Sequence, residues 1–191
     1  MGYTTDFMGR FELNKPLQPK IKQFLEKLGE SRRMKRNVDE AYGIDGEFYV
    51  FGEGFCGQDR EENIVDYNQQ PSTQPSLWCQ WIPNEDGTAI GWDGNEKFYS
   101  YNEWLFYIIN KILAPNGYIL NGIVTWQGEG IGDVGKIIVV DNEITIRPYD
   151  EGEYILTADR VTKYTYGLGE SKNYMRTDIV LLLDEENLVI E

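Results

Sequence analysis

A concentrated run of basic residues, 31 to 36, follows the first predicted helix. Its three arginines, Arg32, Arg33 and Arg36, could grip a phosphate, a nucleotide or an acidic protein segment, because guanidinium groups bind anions through paired hydrogen bonds. The same charges would also stabilise a helix C-terminus or pair with the protein's own carboxylates. Both interpretations are open at the level of sequence.

A second candidate is the segment 74 to 81, which interleaves two tryptophans with polar residues. In a strand, Trp78 and Gln80 would share one face, since successive side chains alternate. Cys79 and Trp81 would lie on the other face. The segment could therefore present an aromatic ring and an amide to a ligand, although core packing of at least one tryptophan is the default. Cys79 has no evident base and is not expected to act as a nucleophile.

A loop-rich stretch lies between these two segments, and such loops often carry binding groups. Its glycine-rich residues 52 to 57 match neither phosphate-loop spacing. The predicted ligand- or partner-binding residues are Arg32, Arg33, Arg36, Gln58, Asp59, Asp66, Tyr67, Trp78 and Trp81.

Two acidic turns follow tryptophans and form a third candidate. Asp93 and Glu96 follow the first, and Glu129 and Asp133 follow the second. Together they could converge as a carboxylate cluster for a hard cation or for acid–base chemistry. Their spacing does not match a calcium loop, and each turn also serves as an ordinary strand connection. We therefore favour a structural role and predict no metal site.

The chain of 191 residues contains no histidine. This absence excludes Ser-His-Asp and Cys-His relays, imidazole metal sites and histidine acid–base catalysis. No complete catalytic or phosphate-binding motif replaces them. The sequence thus predicts a protein without a cofactor and, on balance, without enzymatic activity.

The net charge is −14 and is unevenly distributed. Residues 1 to 40 hold nine basic and six acidic residues, a balance of +3, whereas residues 41 to 191 hold nine basic and 26 acidic residues, a balance of −17. Such an acidic surface repels phosphate backbones, which argues against direct nucleic-acid binding. It favours solubility or docking onto a basic partner.

The composition predicts a soluble cytoplasmic protein with no membrane partner. No stretch approaches the roughly 18 to 20 apolar residues of a membrane-spanning helix. The first residues lack the basic and apolar regions of a secretory signal. The two cysteines, Cys56 and Cys79, form no CxxC pair, so we expect reduced thiols.

The elements that must position these residues follow from hydrophobic periodicity. One helix is expected over residues 17 to 28, and a second begins with a capping box of Ser100 and Glu103 and carries an apolar face over residues 104 to 112. Strands are expected at residues 3–13, 47–51, 77–82, 89–92, 118–127, 136–140, 143–147, 154–156, 161–166 and 178–183, with an uncertain segment at 187–190.

This order predicts an α+β fold, an antiparallel sheet with two helices on one face. A ferredoxin-like, split β-α-β core with extra strands fits the order best, because the helices can both bury their apolar faces only by sharing a sheet face. A general antiparallel α+β sandwich is the alternative. Residues 1–147 are expected to form the core domain, and residues 148–191 a C-terminal β-rich extension packed on it.

Several short segments carry a resemblance: MGYTTDF at 1–7, RRMKR at 32–36, PSLWCQW at 75–81, DGTAI at 86–90, YILNG at 118–122 and WQGE at 126–129. They are similar to a family of short uncharacterised proteins from bacterial and bacteriophage genomes, over roughly residues 1 to 147. The resemblance carries no activity with it. It implies a phage or prophage accessory gene, whose products are often inhibitors or modulators of host proteins.

We therefore expect a non-enzymatic binding or modulator protein that engages a host macromolecule through its acidic surface. A basic nucleic-acid-binding host protein, such as a defence or nucleic-acid enzyme, would complement this charge. The alternative is a small-ligand or nucleotide-binding protein that uses the segments of Arg32, Arg33 and Arg36 and of Trp78 and Trp81. A third class, a structural or assembly subunit, would form a defined homo-oligomer.

Overall fold

The computed structural model describes residues 2–37, 62–130 and 132–148, together with the backbone of three short strands further along the chain. The strands predicted at residues 47–51 and 178–183, and the segment at 187–190, lie outside the described residues.

A six-stranded antiparallel sheet forms the centre of the protein. Its strands are β1 (Thr5–Leu13), β4 (Trp81–Pro83), β5 (Ala89–Trp92), β6 (Leu120–Gly128), β7 (Val134–Val140) and β8 (Glu143–Pro148), in the spatial order β4-β5-β1-β6-β7-β8. A two-stranded ribbon is formed by β2 (Lys35–Arg36) and β3 (Ile64–Asp66). A separate three-stranded sheet consists of β9 (Tyr154–Leu156), β10 (Arg160–Lys163) and β11 (Asn173–Met175).

Two helical segments accompany the central sheet. Helix α1 (Pro19–Glu30) starts with a proline, whose fixed φ suits the first helical position, where no amide hydrogen bond is lost. Helix α2 (Tyr101–Tyr107) continues as π-helical turns over Ile108–Leu113 and ends in a 3₁₀ turn over Ala114–Asn116. Within the described residues, no helix combines the length and apolar character needed to cross a membrane.

The capping box predicted at the start of α2 is wrong. Ser100 precedes the helix but has φ 55° and ψ 36°, in the left-handed region, and its side chain makes no capping hydrogen bond. A side-chain cap requires an extended backbone at this position. Only the carbonyl of Ser100 contributes, by accepting the amide of Trp104 at 2.9 Å.

One face of the central sheet and both helices share a single hydrophobic core. On β1 the buried residues alternate, with Phe7 and Phe11 inside and the residues between them exposed. The ring of Phe7 lies edge-on to four neighbouring aromatic rings at 4.9 to 5.8 Å. Buried residues of the helices complete the core, among them Leu25, Leu28, Trp104, Leu105 and Ile108.

Two glycines allow β1 and β6 to approach closely where the sheet twists. Gly9 has φ 98° and Gly122 has φ 145°. A Cβ atom added at Gly122 would lie 2.8 Å from the carbonyl oxygen of Arg10, and one at Gly9 would lie 2.6 Å from that of Ile123. Any other residue at either position would therefore push the two strands apart.

The predicted α+β class with an antiparallel sheet and two helices is confirmed. The bounds of several strands differ from the prediction. Residues 77–80 precede β4 as irregular chain rather than strand. Strand β10 is described over Arg160–Lys163, and residues 164–166 of the predicted strand lie outside the described residues. The short strand β11 was not predicted.

Candidate functional site

A broad cleft of about 1190 Å³ lies beside the C-terminal end of α1 and the edge strand β4. Three segments line it: the last turn of α1 with Arg32, residues 75–83, and residues 93–100 after β5. Ligand pockets commonly measure about 300 to 1,000 Å³. The cleft is therefore large enough for a segment of a protein as well as for a small ligand.

An aromatic wall on one side of the cleft is formed by Trp78, with a guanidinium group held against it. The Arg32 guanidinium carbon lies 5.9 Å from the centre of the Trp78 ring, within reach of a cation–π contact. Arg32 also donates to the carbonyl of Tyr67 at 3.0 Å and to the side chain of Asn68 at 3.0 Å. These contacts fix the orientation of Arg32 and leave the Trp78 ring half-buried.

The hydroxyl of Ser76 joins the cleft to the core. It accepts the indole N–H of Trp104 at 2.7 Å, and it lies 3.1 Å from the carbonyl of Trp78 and 3.3 Å from that of Tyr99. Trp104 is fully buried in α2. Through Ser76, the backbones of Trp78 and Tyr99, the two aromatic residues of the cleft, are therefore connected to this helix.

The amide of Gln80 supports the cleft from below rather than facing a ligand. Its nitrogen donates to the carbonyl of Glu96 at 3.0 Å, and its oxygen accepts the indole N–H of Trp92 at 2.9 Å. Both ends of the amide are thus used inside the protein, and the residue is 7% exposed. The expected free amide beside Trp78 is absent, and Gln80 instead positions the turn after β5.

The cleft is lined by four carboxylates and two cationic side chains: Glu26, Glu30, Asp93, Glu96, Arg32 and Lys97. Glu26 pairs with Lys22, Glu30 with Lys27 at 2.9 Å, and Glu96 with Lys97 at 3.7 Å. Asp93 accepts both the backbone and the side-chain amide of Asn95 at 2.8 Å. Such partly exposed ion pairs contribute about 0 to 1 kcal/mol. A cation from a partner can therefore compete with them.

The three arginines predicted to bind a ligand or partner have different environments in the structure. Arg33 is 0% exposed and Arg36 is 5% exposed, and only Arg32 lines the cleft. The reason is the path of the chain after α1: the amide of Arg33 bonds the carbonyl of Leu77 at 2.8 Å, and Arg36 lies in the β2–β3 ribbon with its guanidinium donating to Asn63 at 3.2 Å. Local packing therefore buries Arg33, Met34 and Arg36, whereas Arg32 and Lys35 stay at least partly exposed.

The other residues predicted near Arg32 are distributed as follows. Tyr67 contributes its carbonyl to Arg32, and Asp66 accepts the backbone amide of Asn68 at 2.8 Å. Gln58 and Asp59 lie outside the described residues.

Trp81 and Cys79 belong to the core and do not contact the cleft. Trp81 is 0% exposed and donates its indole N–H to the carbonyl of Tyr101 at 2.8 Å. Cys79 is 1% exposed, and burial raises the pKa of its thiol to about 12. The thiolate that a nucleophile requires is therefore not formed near neutral pH.

The second acidic turn, between β6 and β7, holds the N-terminal segment. Tyr3 donates its hydroxyl hydrogen to Asp133, and this hydrogen bond raises the pKa of Tyr3. Asp133 also accepts the indole N–H of Trp126 at 3.0 Å, and Glu129 accepts the amide of Thr4 at 2.9 Å.

The four predicted acidic residues are thus divided between two roles: Asp93 and Glu96 line the cleft, and Glu129 and Asp133 bind the N-terminus. In the part of the chain that the structure describes, no three Cys, Asp or Glu side chains are grouped as a metal ion would require.

Several cleft residues were missed by sequence reasoning: Glu26, Glu30, Lys97 and Tyr99. A signal existed for the two glutamates, since they are four residues apart at the end of α1 and therefore share a helix face. No local signal marks Tyr99, whose position depends on contacts with distant residues, including the amide of Tyr3 at 3.2 Å from its hydroxyl oxygen.

The negative charge is concentrated outside the described body. Residues 2–37, 62–130 and 132–148 contain 15 acidic and 13 basic residues, a net charge of −2. Residues 38–61 contain seven acidic residues and one basic, a net charge of −6, and residues 149–191 contain ten acidic and four basic residues, also −6. The acidic character predicted for the whole surface therefore belongs mainly to two segments.

The fold and the cleft define a small α+β protein with a mixed-charge, aromatic-walled surface site. No protein-family model matches the sequence, and no curated protein or solved structure matches it.

Proposed function

We propose that the protein is a non-enzymatic binding protein that docks a cationic segment of a partner protein in the cleft. The observation that carries this proposal is the set of four carboxylates around the rings of Trp78 and Tyr99. Lysine and arginine side chains bind both carboxylates and aromatic faces, and complementary charge raises the rate and specificity of association.

The acidic segment 38–61, which connects β2 and β3, also supports a cationic partner. It leaves the described chain after β2 and rejoins it before β3, and Tyr67, which follows β3, contacts Arg32 at the cleft. Its net charge is −6. Such a charge attracts a basic surface and repels nucleic acid.

The resemblance of the sequence to bacterial and bacteriophage proteins extends this proposal to a phage- or prophage-associated modulator or inhibitor of a basic host protein, such as a defence or nucleic-acid enzyme in the host cytoplasm. A surface that binds phosphate groups is rich in lysine and arginine, and it offers the cationic segments that the cleft would accept.

For the core we propose the split β-α-β, ferredoxin-like arrangement. In support, β1 leads into α1 and β5 leads into α2, while β1 lies between β5 and β6 and is antiparallel to both. Both helices also contribute to the same hydrophobic core. Strands β7 and β8 are then additions at one edge, and residues 148–191 are a C-terminal extension.

The proposed function is tested by titrating the full chain with a dye-labelled hexa-arginine peptide and measuring fluorescence anisotropy. In one variant Glu26→Gln and Glu30→Gln remove two charges from the cleft. In the matched control Asp141→Asn and Glu143→Gln remove two exposed charges at the β7–β8 turn. We expect the cleft variant to weaken binding about tenfold and the control less than about twofold. Equal losses in both variants would show that only net charge matters and would refute the cleft.

A second candidate, a site for a small anionic ligand such as a nucleotide, is favoured by the contact between Arg32 and Trp78. Burial of Arg33, Arg36 and Trp81 leaves this pair as the remaining part of the predicted anion site. A thermal-shift measurement with ATP and GTP separates the two candidates. The peptide-docking function predicts no shift in Tm, whereas a shift that Arg32→Gln abolishes would favour the nucleotide.

A further inference from the structure

A second concavity, of about 560 Å³, lies between α2 and the edge strand β8 and shares Pro75 with the cleft. Its apolar lining includes Phe106, Tyr107, Ile144 and Ile146. Phe106 is 63% exposed and Ile146 is 48% exposed, so large apolar side chains border this groove without being covered by the described residues.

The groove runs along an edge of the central sheet. Strand β8 pairs with β7, through partners such as Ile146 with Ile137, and has no second neighbour among the described strands. An exposed edge offers backbone hydrogen bonds to an additional strand. Side chains of an added strand on the same face as Ile144 and Ile146 would enter the groove, since one face of a sheet is shared by all its strands.

We propose that residues 179–183 of this chain, Ile-Val-Leu-Leu-Leu, add to β8 as a seventh strand and fill the groove. Five aliphatic residues in succession need a buried position, because each is worth roughly 1.5 to 3 kcal/mol when removed from water. The groove and the unoccupied edge supply the two things that such a strand requires, an apolar surface and backbone partners.

The length of the chain fits this occupant. The chain leaves β8 at Pro148, and 30 residues separate it from Ile179, a span of roughly 100 Å if extended. The run is flanked by Asp178 on one side and by residues 184–186, Asp-Glu-Glu, on the other, and both Lys111 and Glu103 border the groove.

The proposal is tested by amide hydrogen exchange on the full chain, followed residue by residue by NMR. In the native protein, we expect the β8 amides that point away from β7 to exchange at least 100-fold more slowly than unstructured amides. The variant Leu181→Asp with Leu182→Asp should accelerate them at least tenfold. The matched control, Leu188→Asp with Val189→Asp, places the same charges in the tail outside the run and should leave them unchanged.

A reciprocal variant uses the groove itself. Phe106→Asp alters an exposed residue and should accelerate exchange of the amides of residues 179–183. The proposal is overturned if the outward amides of β8 are unprotected in the native chain, or if both tail variants behave alike. Protection that rises with protein concentration, together with a dimer in light scattering, would assign the groove to a second copy and also overturn it.

Discussion

Trp78 and Trp81 stand three residues apart in the sequence and have opposite environments in the structure. Trp81 is the first residue of β4, is 0% exposed, and packs edge-on against Phe7 and Phe98 at 5.3 Å. Trp78 precedes the strand, forms one wall of the cleft, and has the guanidinium of Arg32 over its ring. The same residue type thus serves the core at one position and the surface site at the other.

This difference separates the residues that maintain the fold from those that can contact a partner. The cleft is supported from behind by the buried Trp104, through Ser76, and by the half-buried Trp92, through Gln80. Its rim carries half-buried or exposed side chains that make few contacts with the core. Substitutions in the rim should therefore change binding with little effect on stability, and substitutions in the core should do the reverse.

The largest effect is expected for Trp81→Ala. Removal of a fully buried tryptophan leaves a cavity beside Phe7 and breaks the hydrogen bond to Tyr101, so the free energy of unfolding should fall by about 3 to 5 kcal/mol. Urea denaturation followed by circular dichroism measures this. Trp78→Ala is the matched control and should lower stability by less than about 1 kcal/mol while weakening the hexa-arginine complex. Similar losses of stability in both variants would contradict the division between core and wall.

A smaller loss of stability is expected in the arginine run, where the neighbours Arg32 and Arg33 also differ in that one lines the cleft and the other is buried. Arg33 is 0% exposed, and its truncation to alanine should lower the free energy of unfolding by about 2 to 4 kcal/mol through lost packing and the disturbance of a buried charge. Arg32→Ala should cost less than about 1 kcal/mol, because Arg32 is partly exposed. Urea denaturation of both variants checks the difference. A larger cost for Arg32 than for Arg33 would reverse our assignment of the core and the rim.

Much of the fold was predictable because its signals are local. The alternation in β1 and the apolar spacing of α1 identified both elements. The strands predicted at 136–140 and 143–147 are joined by a turn at Asp141 and Asn142, with φ of 48° and 72°. Strand β5 has the predicted bounds, Ala89–Trp92.

The cleft was only partly predictable, since it is built by tertiary contacts. Trp78, Arg32, Asp93 and Glu96 were identified by type, but the cleft that unites them combines the end of α1 with segments about 45 to 65 residues further along the chain. The burial of Arg33 and Arg36 depends on the pairing of β2 with β3, separated by 27 residues of chain, and on contacts with residue 77. Residue type and spacing indicate neither how the cleft is assembled nor which arginines are buried.

The smallest of these effects concerns Cys79. This residue lies between Trp78 and Trp81 in the sequence, and its side chain is buried in the core. Burial raises its thiol pKa from 9.0 to about 12, so the folded protein keeps a proton that the unfolded chain loses above pH 9. The resulting stability is fully present below pH 9 and is lost progressively as the pH rises towards 12. At pH 9.5 the loss relative to pH 7 should be about 0.8 kcal/mol.

We would measure this loss of stability by urea denaturation at pH 7 and pH 9.5 in a Cys56→Ser background, so that Cys79 is the only thiol. The same background with Cys79→Ala is the control, because every other titrating group remains in place. The difference between the two proteins should narrow by this amount at pH 9.5, as the unfolded thiol ionises. An unchanged difference would mean that the folded thiol ionises as readily as the unfolded one. Cys79 would then be accessible to solvent, and the inner side of this segment would not be part of the core.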